Sequence, residues 1–475
     1  MKDLLSRYRP RYVHSLVYML QASEYHIGDY IAWVHRANDF AHIEKRKTLV
    51  WTKKVIVIYS LTWLLILVWI IGIMGYVAST GSDVPLLVGA FVVAITPFFL
   101  PYAILLPLLV VRIAQWPVET LIINSARGKL SRLNATKIAI AGSYGKTSMR
   151  EILKTILSEG KRVAAPPESV NTPLGIARFV NLLKGDEEVL IFELGEYYPG
   201  DIRKLCEIIR PQWGIITGVN EAHLEKFGTL EKTTATIFEI AAFVDPTHLY
   251  VNGESERVRA RAKSRNVIYT REGGETWEVS GAKTGLSGTT FTLTNNISTL
   301  KASSKLLGLH IIGPIVAAVN IAVRLSLTSA QIERGVEKTK PFEHRLEQKS
   351  WGDSVTLIDD SYNGNPDGVA AVIDFLANLK DRRRWYVTPG LVEMGARKES
   401  VHTDIGKRLS MVGIEKVVLI RNSVTPFIER GLKDTGYGGE IFWYEDMPHA
   451  LDGIKHSTVA GDIVLIQNDW PDQYA

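Results

Sequence analysis

The sequence predicts an α/β protein in which two membrane-spanning helices precede two α/β domains. Two long uncharged apolar runs lie before residue 112. After them, short β-rich runs alternate with longer amphipathic stretches, the pattern of parallel sheets covered by helices. One of the β-rich runs ends in a glycine-rich loop of the kind that binds phosphate groups. A length of 475 residues leaves room for about three domains.

The overall composition argues against two kinds of protein. The formal net charge is +5 at pH 7, which gives no reason to expect a nucleic-acid partner. The single cysteine, Cys206, excludes an internal disulfide framework and a cysteine-rich metal site. A reducing compartment fits this cysteine usage.

The two apolar runs, residues 55–77 and 84–111, are each longer than the roughly 20 residues that cross a bilayer. The connector at residues 78–83 contains no Lys or Arg. The flanking segments contain many, including Arg7, Arg9, Arg11, Lys45, Arg46, Lys47, Arg112, Arg127, Lys129 and Arg132. The positive-inside rule therefore predicts that both ends of the pair are cytoplasmic.

These features divide the N-terminal region into two parts. We expect a two-span, multi-pass anchor in the cytoplasmic (inner) membrane at residues 54–113, with the catalytic domains in the cytoplasm. The first run lies too far into the chain for a signal peptide. Residues 1–53 are expected to form a cytoplasmic helical segment, in which residues 15–34 lie as a surface helix against the inner leaflet.

A phosphate-binding loop follows the apolar run at residues 137–141. The chain reads G-S-Y-G-K-T-S at residues 142–148, and a helix is predicted over residues 149–157. In such a loop, backbone N–H groups surround a polyphosphate, a lysine reaches the terminal phosphates and a hydroxyl ligates Mg²⁺. The pattern is the short form G-x-x-G-K-[ST], because the position five before Gly145 is Ile140. The loop predicts binding of ATP and Mg²⁺ through Gly142, Ser143, Gly145, Lys146, Thr147 and Ser148.

The α/β part of the chain divides near residues 340–341. For the central domain, residues 114–340, we predict strands at 137–141, 189–193 and 213–217 and helices at 202–209, 232–242 and 315–327. Residues 265–306 alternate Thr, Ser and Gly with apolar residues, which indicates a small antiparallel insert. For the C-terminal domain, residues 341–475, we predict strands at 355–358, 384–387, 416–420 and 462–466 and a helix at 368–379.

Six segments of these domains, taken in order, resemble one family, the Mur ligases, which are ATP-dependent amide-forming enzymes of peptidoglycan precursor synthesis. They are G-S-Y-G-K-T-S at 142–148, V-N-T-P-L-G at 170–175, E-L-G-E-Y-Y-P-G-D-I at 193–202, N-E-A-H-L-E-K-F-G at 220–228, H-R-L-E at 344–347 and D-D-S-Y-N-G-N-P at 359–366. Each segment alone is a weak signal, but six in register are specific. Within the family they are most similar to the branch that adds D-alanyl-D-alanine to a UDP-linked muramoyl tripeptide.

The resemblance implies a P-loop central domain, a Rossmann-like C-terminal ligase domain and catalysis in the cleft between them. Family members phosphorylate a carboxylate with ATP, and an amine then attacks the acyl phosphate. The implied catalytic residues are Lys146, His223 and Arg345. The implied Mg²⁺ ligands are Thr147, Glu193 and His223, which offer oxygen, oxygen and nitrogen.

The resemblance also implies binding residues. In the C-terminal domain Asp360 matches the acid that binds the ribose. The residues implied around the adenine are Tyr362, Asn363 and Asn365. Asn171 and Thr172 lie in the loop associated with the sugar-peptide substrate.

Some positions depart from the family pattern. The family lysine that binds a second Mg²⁺ as a carbamate falls at Ile237 when the segment is anchored on Glu239. Lys232 lies about 140° round the helix from that position and does not replace it. Other departures concern an adenine contact and the site of the incoming amine, at Ile311, Pro314, 389–395 and 467–469.

The largest departure is architectural, because the membrane anchor stands where the family has a uridine-nucleotide-binding domain. The predicted function is a membrane-anchored ligase that adds D-alanyl-D-alanine to a muramoyl peptide. Two alternatives remain open. One is the same chemistry on a lipid-linked or other peptide-polymer acceptor, and the other is a non-catalytic nucleotide-binding protein that tethers cell-wall synthesis proteins to the membrane.

Overall fold

The structure is a computed structural model that describes residues 5–37, 39–40, 43, 48–80, 83–167, 170–221, 227–352, 354–362 and 364–468. The chain forms two compact units, residues 1–121 with 471–475 and residues 122–470. Each unit has hydrophobic cores of its own.

The first unit is helical. Its helices are Tyr12–Ala22, Ile27–Arg36, Lys53–Thr80 and Asp83–Ala103, and the helix Leu105–Arg132 begins in it. Two stretches of the described chain, Lys53–Ser79 and Leu86–Arg132, are long and apolar enough to cross a membrane, by length and composition. Their most apolar windows are only 11% and 28% buried, unlike a helix inside a soluble core. Both predicted runs are thus helical, and the second continues beyond its predicted end.

The N-terminal segment differs from its prediction. The sequence predicts one surface helix over residues 15–34, but the chain forms two helices separated by a turn at residues 23–26. Leu16 and Leu20 of the first helix are fully buried in a cluster that also contains Ile58. The prediction of a surface helix was wrong, because the apolar face of this helix packs against the other helices of the same unit.

The second unit contains two sheets. The strands of the first are β1 Thr136–Ala141, β2 Val163–Ala164, β3 Val189–Glu193, β4 Trp213–Ile216, β5 Leu249–Asn252, β6 Val267–Thr270, β7 Gly273–Gly274, β8 Trp277–Gly285, β9 Gly288–Thr294 and β10 Thr299–Ser304. Within the described residues their order is β10-β9-β8-β7-β6-β5-β4-β1-β3-β2. The chain passes from one side of β1 to the other between β3 and β4. The carboxyl end of β1 therefore lies where ligands bind in open α/β sheets.

The antiparallel strands belong to this same sheet. Among β1, β2, β3, β4, β5 and β6, every pair of neighbouring strands is parallel. From β6 to β10 each strand pairs antiparallel with the next, and these strands continue the sheet at the edge formed by β6. The insert predicted over residues 265–306 is therefore antiparallel as expected, but it is an extension of the main sheet and not a separate layer.

Helices cover both faces of the first sheet. They are Lys146–Leu157, Pro173–Leu182, Asp201–Ile209, Leu230–Ile237, Glu256–Arg261, Ile312–Arg324 and Ser329–Lys338. β1 alternates its side chains between two cores, because Ile138 and Ile140 pack in one cluster and Ala139 and Ala141 in another. Burial of both faces explains why this strand is apolar along nearly its whole length.

The second sheet follows residue 346. Its strands are β11 Glu347–Trp351, β12 Val355–Asp360, β13 Arg384–Thr388, β14 Lys416–Ile420, β15 Glu440–Tyr444 and β16 Ile463–Gln467. Their order is β11-β12-β16-β13-β14-β15, and among the described strands only the pairing of β11 with β12 is antiparallel. The covering helices are Pro366–Ala377, Lys398–Val412, Thr425–Asp434 and Met447–Ser457. The four predicted strands are present as β12, β13, β14 and β16.

Candidate active site

The glycine-rich loop joins β1 to the helix Lys146–Leu157. Gly142 has a φ of 147° and Gly145 a φ of 75°, conformations that favour glycine. A Cβ atom at Gly142 would overlap the Thr217 hydroxyl and the backbone of Gly218. The loop therefore requires glycine at position 142, and it leaves the helix N-terminus facing the end of β1.

Lys146 forms a buried ion pair at the start of this helix. Its Nζ donates to both carboxylate oxygens of Glu196, at 2.8 and 2.9 Å, and to the Gly142 carbonyl at 2.5 Å. The side chains of Lys146 and Glu196 are 14% and 1% exposed. Glu196 was not singled out in the sequence, although it lies only three residues after the predicted metal ligand Glu193. The lysine of the glycine-rich loop is thus held by a carboxylate of the protein itself.

Thr147 and Glu193 are brought together beside this pair. The Thr147 hydroxyl donates to Glu193 Oε2 at 3.2 Å, and Arg150 Nη1 lies 2.8 Å from Glu193 Oε1. Arg150 is another residue that the sequence reasoning missed, one turn further along the helix. Two oxygen ligands at one point suit Mg²⁺, which prefers hydroxyl and carboxylate oxygen.

The third predicted ligand, His223, lies outside the described residues, as do its neighbours at 222–226. Over the residues that are described, no group of three or more His, Cys, Asp or Glu side chains could hold a metal ion. Of the three predicted ligands, the described residues therefore include Thr147 and Glu193, which contact each other.

Ser143 provides a test of whether the loop suits phosphate. Its backbone N–H donates to the Gly218 carbonyl at 2.8 Å, but its hydroxyl is buried and has no hydrogen-bond partner among the described residues. Buried hydroxyls are normally satisfied, so an orphaned one in a phosphate-binding loop fits an absent anion.

A cleft of about 240 Å³ joins the loop to the second sheet, within residues 122–470. Gly145 and Ser148 line it on one side, and Arg345 and Asp360 line it on the other. Arg345 Nε is buried without a hydrogen-bond partner in the described chain, and its guanidinium lies 4.8 Å from the centre of the Tyr362 ring. This cation–π contact holds the guanidinium at the cleft.

His310 also lines the cleft. Burial lowers the pKa of His310 to about 4, so the imidazole is neutral at pH 7. Its Nδ1 has no hydrogen-bond partner in the part of the chain that is described. A neutral imidazole with a free ring nitrogen can hydrogen-bond an uncharged polar group in the cleft.

Asp360 ends β12 at the floor of the cleft. Burial raises the pKa of Asp360 to about 7, although the Arg345 charge and hydrogen bonds to the carboxylate act in the opposite direction. Gln467 Nε2 donates to Oδ2 at 2.6 Å and the Leu346 N–H to Oδ1 at 3.2 Å. Gln467, the first residue of the segment 467–469 that departs from the family pattern, therefore holds the Asp360 carboxylate by a hydrogen bond.

The pKa of its neighbour Asp359 is shifted in the opposite direction. Burial alone would raise the pKa of Asp359, but hydrogen bonds from Lys349, Ser361 and His344 lower it to about 2. Lys349 Nζ and His344 Nδ1 each lie 2.8 Å from Asp359 Oδ2. The pKa values of two adjacent carboxyl groups therefore lie far apart, because burial dominates at Asp360 and hydrogen bonds dominate at Asp359.

Two of the residues predicted around the adenine make contacts within the protein. Asn365 is the N-cap of the helix Pro366–Ala377, since its Oδ1 accepts from the Gly368 N–H at 3.0 Å. The same Oδ1 accepts from Asn220 Nδ2 at 2.8 Å, which links the two α/β halves of the unit. Tyr362 lies against Arg345, and Asn363 lies outside the described residues.

The predicted substrate loop lies beside Glu193 and Glu196. The Asn171 carbonyl accepts from the Gly195 N–H at 3.0 Å, so Asn171 contacts the segment that follows β3. Thr172 is the N-cap of the helix Pro173–Leu182, with its hydroxyl accepting from the Gly175 N–H at 3.3 Å. Of the two residues, Thr172 thus has a capping role of its own.

Ile237, at the position of the family lysine, is fully buried in the core beneath the sheet. Glu239 caps the helix Asp201–Ile209, with its carboxylate accepting from the Gly200 and Arg203 N–H groups at 3.0 and 2.9 Å. Lys232 is exposed on its own helix. The structure therefore provides no lysine side chain at the position of Ile237.

Comparisons with protein families agree with this site. Residues 140–322 match the Mur ligase middle domain, and residues 344–467 match the glutamate ligase domain of Mur ligases. The fold and the site define a P-loop α/β protein whose site lies between two domains. The chain belongs to the Mur ligase family, which confirms the resemblance seen in its motifs.

Two relatives that resemble this chain in sequence have the same name. The UDP-N-acetylmuramoyl-tripeptide–D-alanyl-D-alanine ligase of Mycobacterium tuberculosis is 29% identical over 296 residues, 60% of this chain and 58% of the relative. The Synechocystis enzyme of the same name is 26% identical over 365 residues, 75% of this chain and 77% of the relative. The chain thus spans less than two thirds of the length of the mycobacterial relative.

Solved structures share the fold. MurF from Acinetobacter baumannii superposes with a TM-score of 0.64 at 22% identity, covering 74% of this chain and 77% of that one. MurF ligase from Thermotoga maritima, in complex with ADP, has a TM-score of 0.64 at 24% identity, covering 74% and 80%. These likenesses confirm the predicted α/β fold of the two ligase domains.

Proposed function

We propose that the protein is an ATP- and Mg²⁺-dependent ligase of peptidoglycan precursor synthesis that adds D-alanyl-D-alanine to a muramoyl peptide. The observation that carries this proposal is a single cleft in which the phosphate-binding loop faces Arg345 and Asp360. The names of the relatives support the choice of both substrates.

The loop residues have a direct part in this proposal. N–H groups at Gly145 and at the helix start hydrogen-bond the phosphates of ATP, with the Ser143 hydroxyl as a further donor. Lys146 exchanges Glu196 for phosphate oxygens. Thr147 and Glu193 would hold Mg²⁺, with His223 as the proposed third ligand, and a bound metal would neutralise charge on the phosphates.

The reaction needs two displacements. An oxygen of the acceptor carboxylate attacks the γ-phosphorus of ATP, and ADP leaves with the bonding electrons. The amine of D-alanyl-D-alanine then attacks the acyl carbon, loses a proton and displaces inorganic phosphate. In this proposal Arg345, which lines the cleft, stabilises the charge that develops on the transferring phosphoryl group.

The remaining predicted residues complete the substrate sites of the proposal. Asp360 accepts hydrogen bonds from the ribose hydroxyls, while Asn171 and Thr172 border the acceptor. The proposed residues near the adenine are Tyr362, Asn363 and Asn365. Because Asn365 already caps a helix and binds Asn220, its contribution is to shape the adenine pocket.

We further propose that residues 54–113 anchor the enzyme in the cytoplasmic membrane by two spans. The central domain at 114–340 and the C-terminal domain at 341–475 then lie in the cytoplasm, after a cytoplasmic segment at 1–53. Two helices of sufficient length and apolarity support this topology. The Lys and Arg residues on both flanks support the cytoplasmic orientation.

The decisive experiment measures phosphate release from ATP by the detergent-solubilised, full-length protein. D-alanyl-D-alanine is supplied with either a UDP-linked or a lipid-linked muramoyl peptide. Lys146→Ala serves as the blank, and Lys263→Ala, which changes an exposed lysine, serves as the matched control. We expect release only with both acceptor and dipeptide, absent in Lys146→Ala and retained in Lys263→Ala.

A second candidate is the same chemistry on a lipid-linked acceptor, and the two apolar helices favour it. It is distinguished by turnover with the lipid-linked peptide and none with the UDP-linked one. Nucleotide binding without turnover on either acceptor would contradict the ligase and favour the tethering alternative, for which the buried Ile237 is the supporting observation.

A further inference from the structure

A second cavity lies at the opposite end of β1 from the phosphate-binding loop. Its volume is about 1110 Å³, and it is formed by the last turns of the helix Leu105–Arg132, the start of β1 and the segment between the helix Asp201–Ile209 and β4. Lys137, which lines it, stands five residues before Gly142, or roughly 17 Å along an extended strand. The cavity is therefore separate from the cleft described above.

Charged side chains of mainly one sign line this cavity. Arg127, Lys137 and Arg210 contribute three cations, against one carboxylate from Glu207. No ion pair joins these four side chains to one another or to any other residue in the described part of the chain. The lining therefore carries an uncompensated positive charge, which favours an anion.

Lys137 is the most unusual of these residues. It is only 7% exposed, and its ammonium has no hydrogen-bond or ion-pair partner among the described residues. Burial lowers the pKa of Lys137, and no carboxylate offsets that effect. Its ammonium therefore faces the cavity without a counter-charge in the described chain, and partial burial weakens the hydration of that charge. An anion in the cavity would supply the missing partner.

The backbone around Lys137 is fixed by two hydrogen bonds with Gln212. Gln212 Oε1 accepts from the Lys137 N–H at 2.7 Å, and the Gln212 N–H donates to the Lys137 carbonyl at 3.0 Å. Leu130 and Phe243 supply apolar surface on other walls of the cavity. The site thus combines a cation on a fixed stretch of backbone with apolar walls, and this combination suits an amphiphile with an anionic head.

We infer that this cavity binds the phosphate headgroup of an anionic lipid, with Lys137, Arg127 and Arg210 as its cations. The lipid is favoured over free phosphate by the helix Leu105–Arg132, which belongs to a candidate membrane span. Arg127 follows Leu121, an exposed apolar residue of this helix, by six residues. The inference does not depend on the ligase activity, because none of these residues lies in the catalytic cleft.

The test uses full-length protein in a neutral detergent and isothermal titration calorimetry. The probes are dihexanoyl phosphatidylglycerol, dihexanoyl phosphatidylcholine and inorganic phosphate, each lipid added below its own critical micelle concentration. We expect saturable, salt-weakened binding of the phosphatidylglycerol and none of the phosphatidylcholine. Loss of one charge-assisted contact should weaken binding by about tenfold in Lys137→Met and in Arg127→Gln.

Two controls make the result specific. Lys263→Met removes an exposed lysine and should bind the lipid as the wild type does. Arg127 is exposed at the surface, so Arg127→Gln tests the site even if Lys137→Met fails to fold. Wild-type affinity in both cavity variants would overturn the inference, as would the absence of saturable binding. Inorganic phosphate binding as tightly as the lipid would overturn the choice of a lipid.

Discussion

The two ends of β1 place buried lysines in opposite electrostatic surroundings. Lys146, beyond the carboxyl end, is paired with the buried carboxylate of Glu196. Lys137, near the amino end, is 7% exposed and has no partner among the described residues. The protein supplies a carboxylate at the first site and, over the residues that are described, none at the second. The comparison teaches that two lysines close to one strand can differ in whether the fold itself supplies their counter-charge.

The comparison also suggests how ATP enters. Under the proposed function, Glu196 compensates the charge of Lys146 until phosphate oxygens replace the carboxylate, so nucleotide binding would exchange one anion for another. At Lys137 no such exchange is needed, because the anion would meet an uncompensated charge. The predictions below test this difference, beginning with the largest expected effect.

Removing the paired lysine should abolish turnover. We expect Lys146→Ala to lower the rate of ATP-dependent ligation by about a hundredfold to a thousandfold, the usual effect of removing one donor to developing charge. Phosphate release measured under saturating substrates gives this rate. Lys263→Ala is the matched control, and a rate for Lys146→Ala within a few-fold of the wild type would show that Lys146 does not contact the reacting phosphate.

Removing the same lysine should also destabilise the protein without ligand. In Lys146→Met the Glu196 carboxylate remains buried without its cation, which should lower the free energy of unfolding by about 3–5 kcal/mol. Thermal unfolding in detergent, with Lys263→Met as the control, measures the loss. The double variant Lys146→Met/Glu196→Met should recover most of it, and failure to recover would mean that the pair is not what stabilises the loop.

Much of this fold was predictable because hydrophobic patterns repeat along the buried strands. β3 and β14 coincide with their predicted bounds. The edge strand β11 was missed because its sequence, E-Q-K-S-W, is mostly polar. The other edge strand, β15, was also missed, although its sequence, E-I-F-W-Y, is mostly apolar. Attachment of the antiparallel strands to the main sheet was not predictable, since local pattern does not say which sheet edge is free.

The candidate site was predictable where a motif fixes the backbone. The loop places Lys146 and Thr147, and the end of a parallel strand places Glu193. Glu196 and Arg150 were missed because their partners depend on how two segments meet, which spacing alone does not specify. The roles of Asn171, Tyr362 and Asn365 stay predictions, as does that of His223.

An acidic side chain, Asp360, can be compared with Lys137, because burial shifts its pKa as well. Its pKa is raised from 3.8 to about 7, so the folded state binds more protons than the unfolded state between these values. The free energy of unfolding should therefore fall as pH rises through this window, by up to about 4 kcal/mol at about 1.4 kcal/mol per pKa unit. Asp360→Asn should remove this fall.

The Tm difference between Asp360→Asn and the wild type measures this effect. It should be small near pH 4 and largest above pH 7, with the variant more stable. Asp381→Asn, at an aspartate whose side chain is 78% exposed, is the control and should show no such trend. A pH-independent difference would place the pKa of Asp360 near its ordinary value.

Freeing the paired lysine should strengthen nucleotide binding. Glu196→Gln removes the carboxylate that competes with phosphate for Lys146, and we expect ADP to bind about five- to tenfold more tightly without Mg²⁺. Fluorescence titration with a labelled ADP measures the Kd, with Glu278→Gln, at an exposed glutamate, as the control. Weaker binding in Glu196→Gln would instead mean that this carboxylate contributes to the nucleotide site.

The smallest effect is expected at the unpaired lysine, and it has the opposite sign to that at Lys146. Burial lowers the pKa of Lys137, so the folded state holds this proton less tightly than the unfolded state. Replacing the ammonium by the apolar, similarly long side chain in Lys137→Met should therefore raise the Tm by a few degrees, an increase of about 1 kcal/mol in the free energy of unfolding. Wild-type protein saturated with dihexanoyl phosphatidylglycerol should gain stability as well, whereas Lys137→Met should gain less. A lower Tm in Lys137→Met, with Lys263→Met unchanged, would show that the ammonium has a partner and that the two ends of β1 are alike.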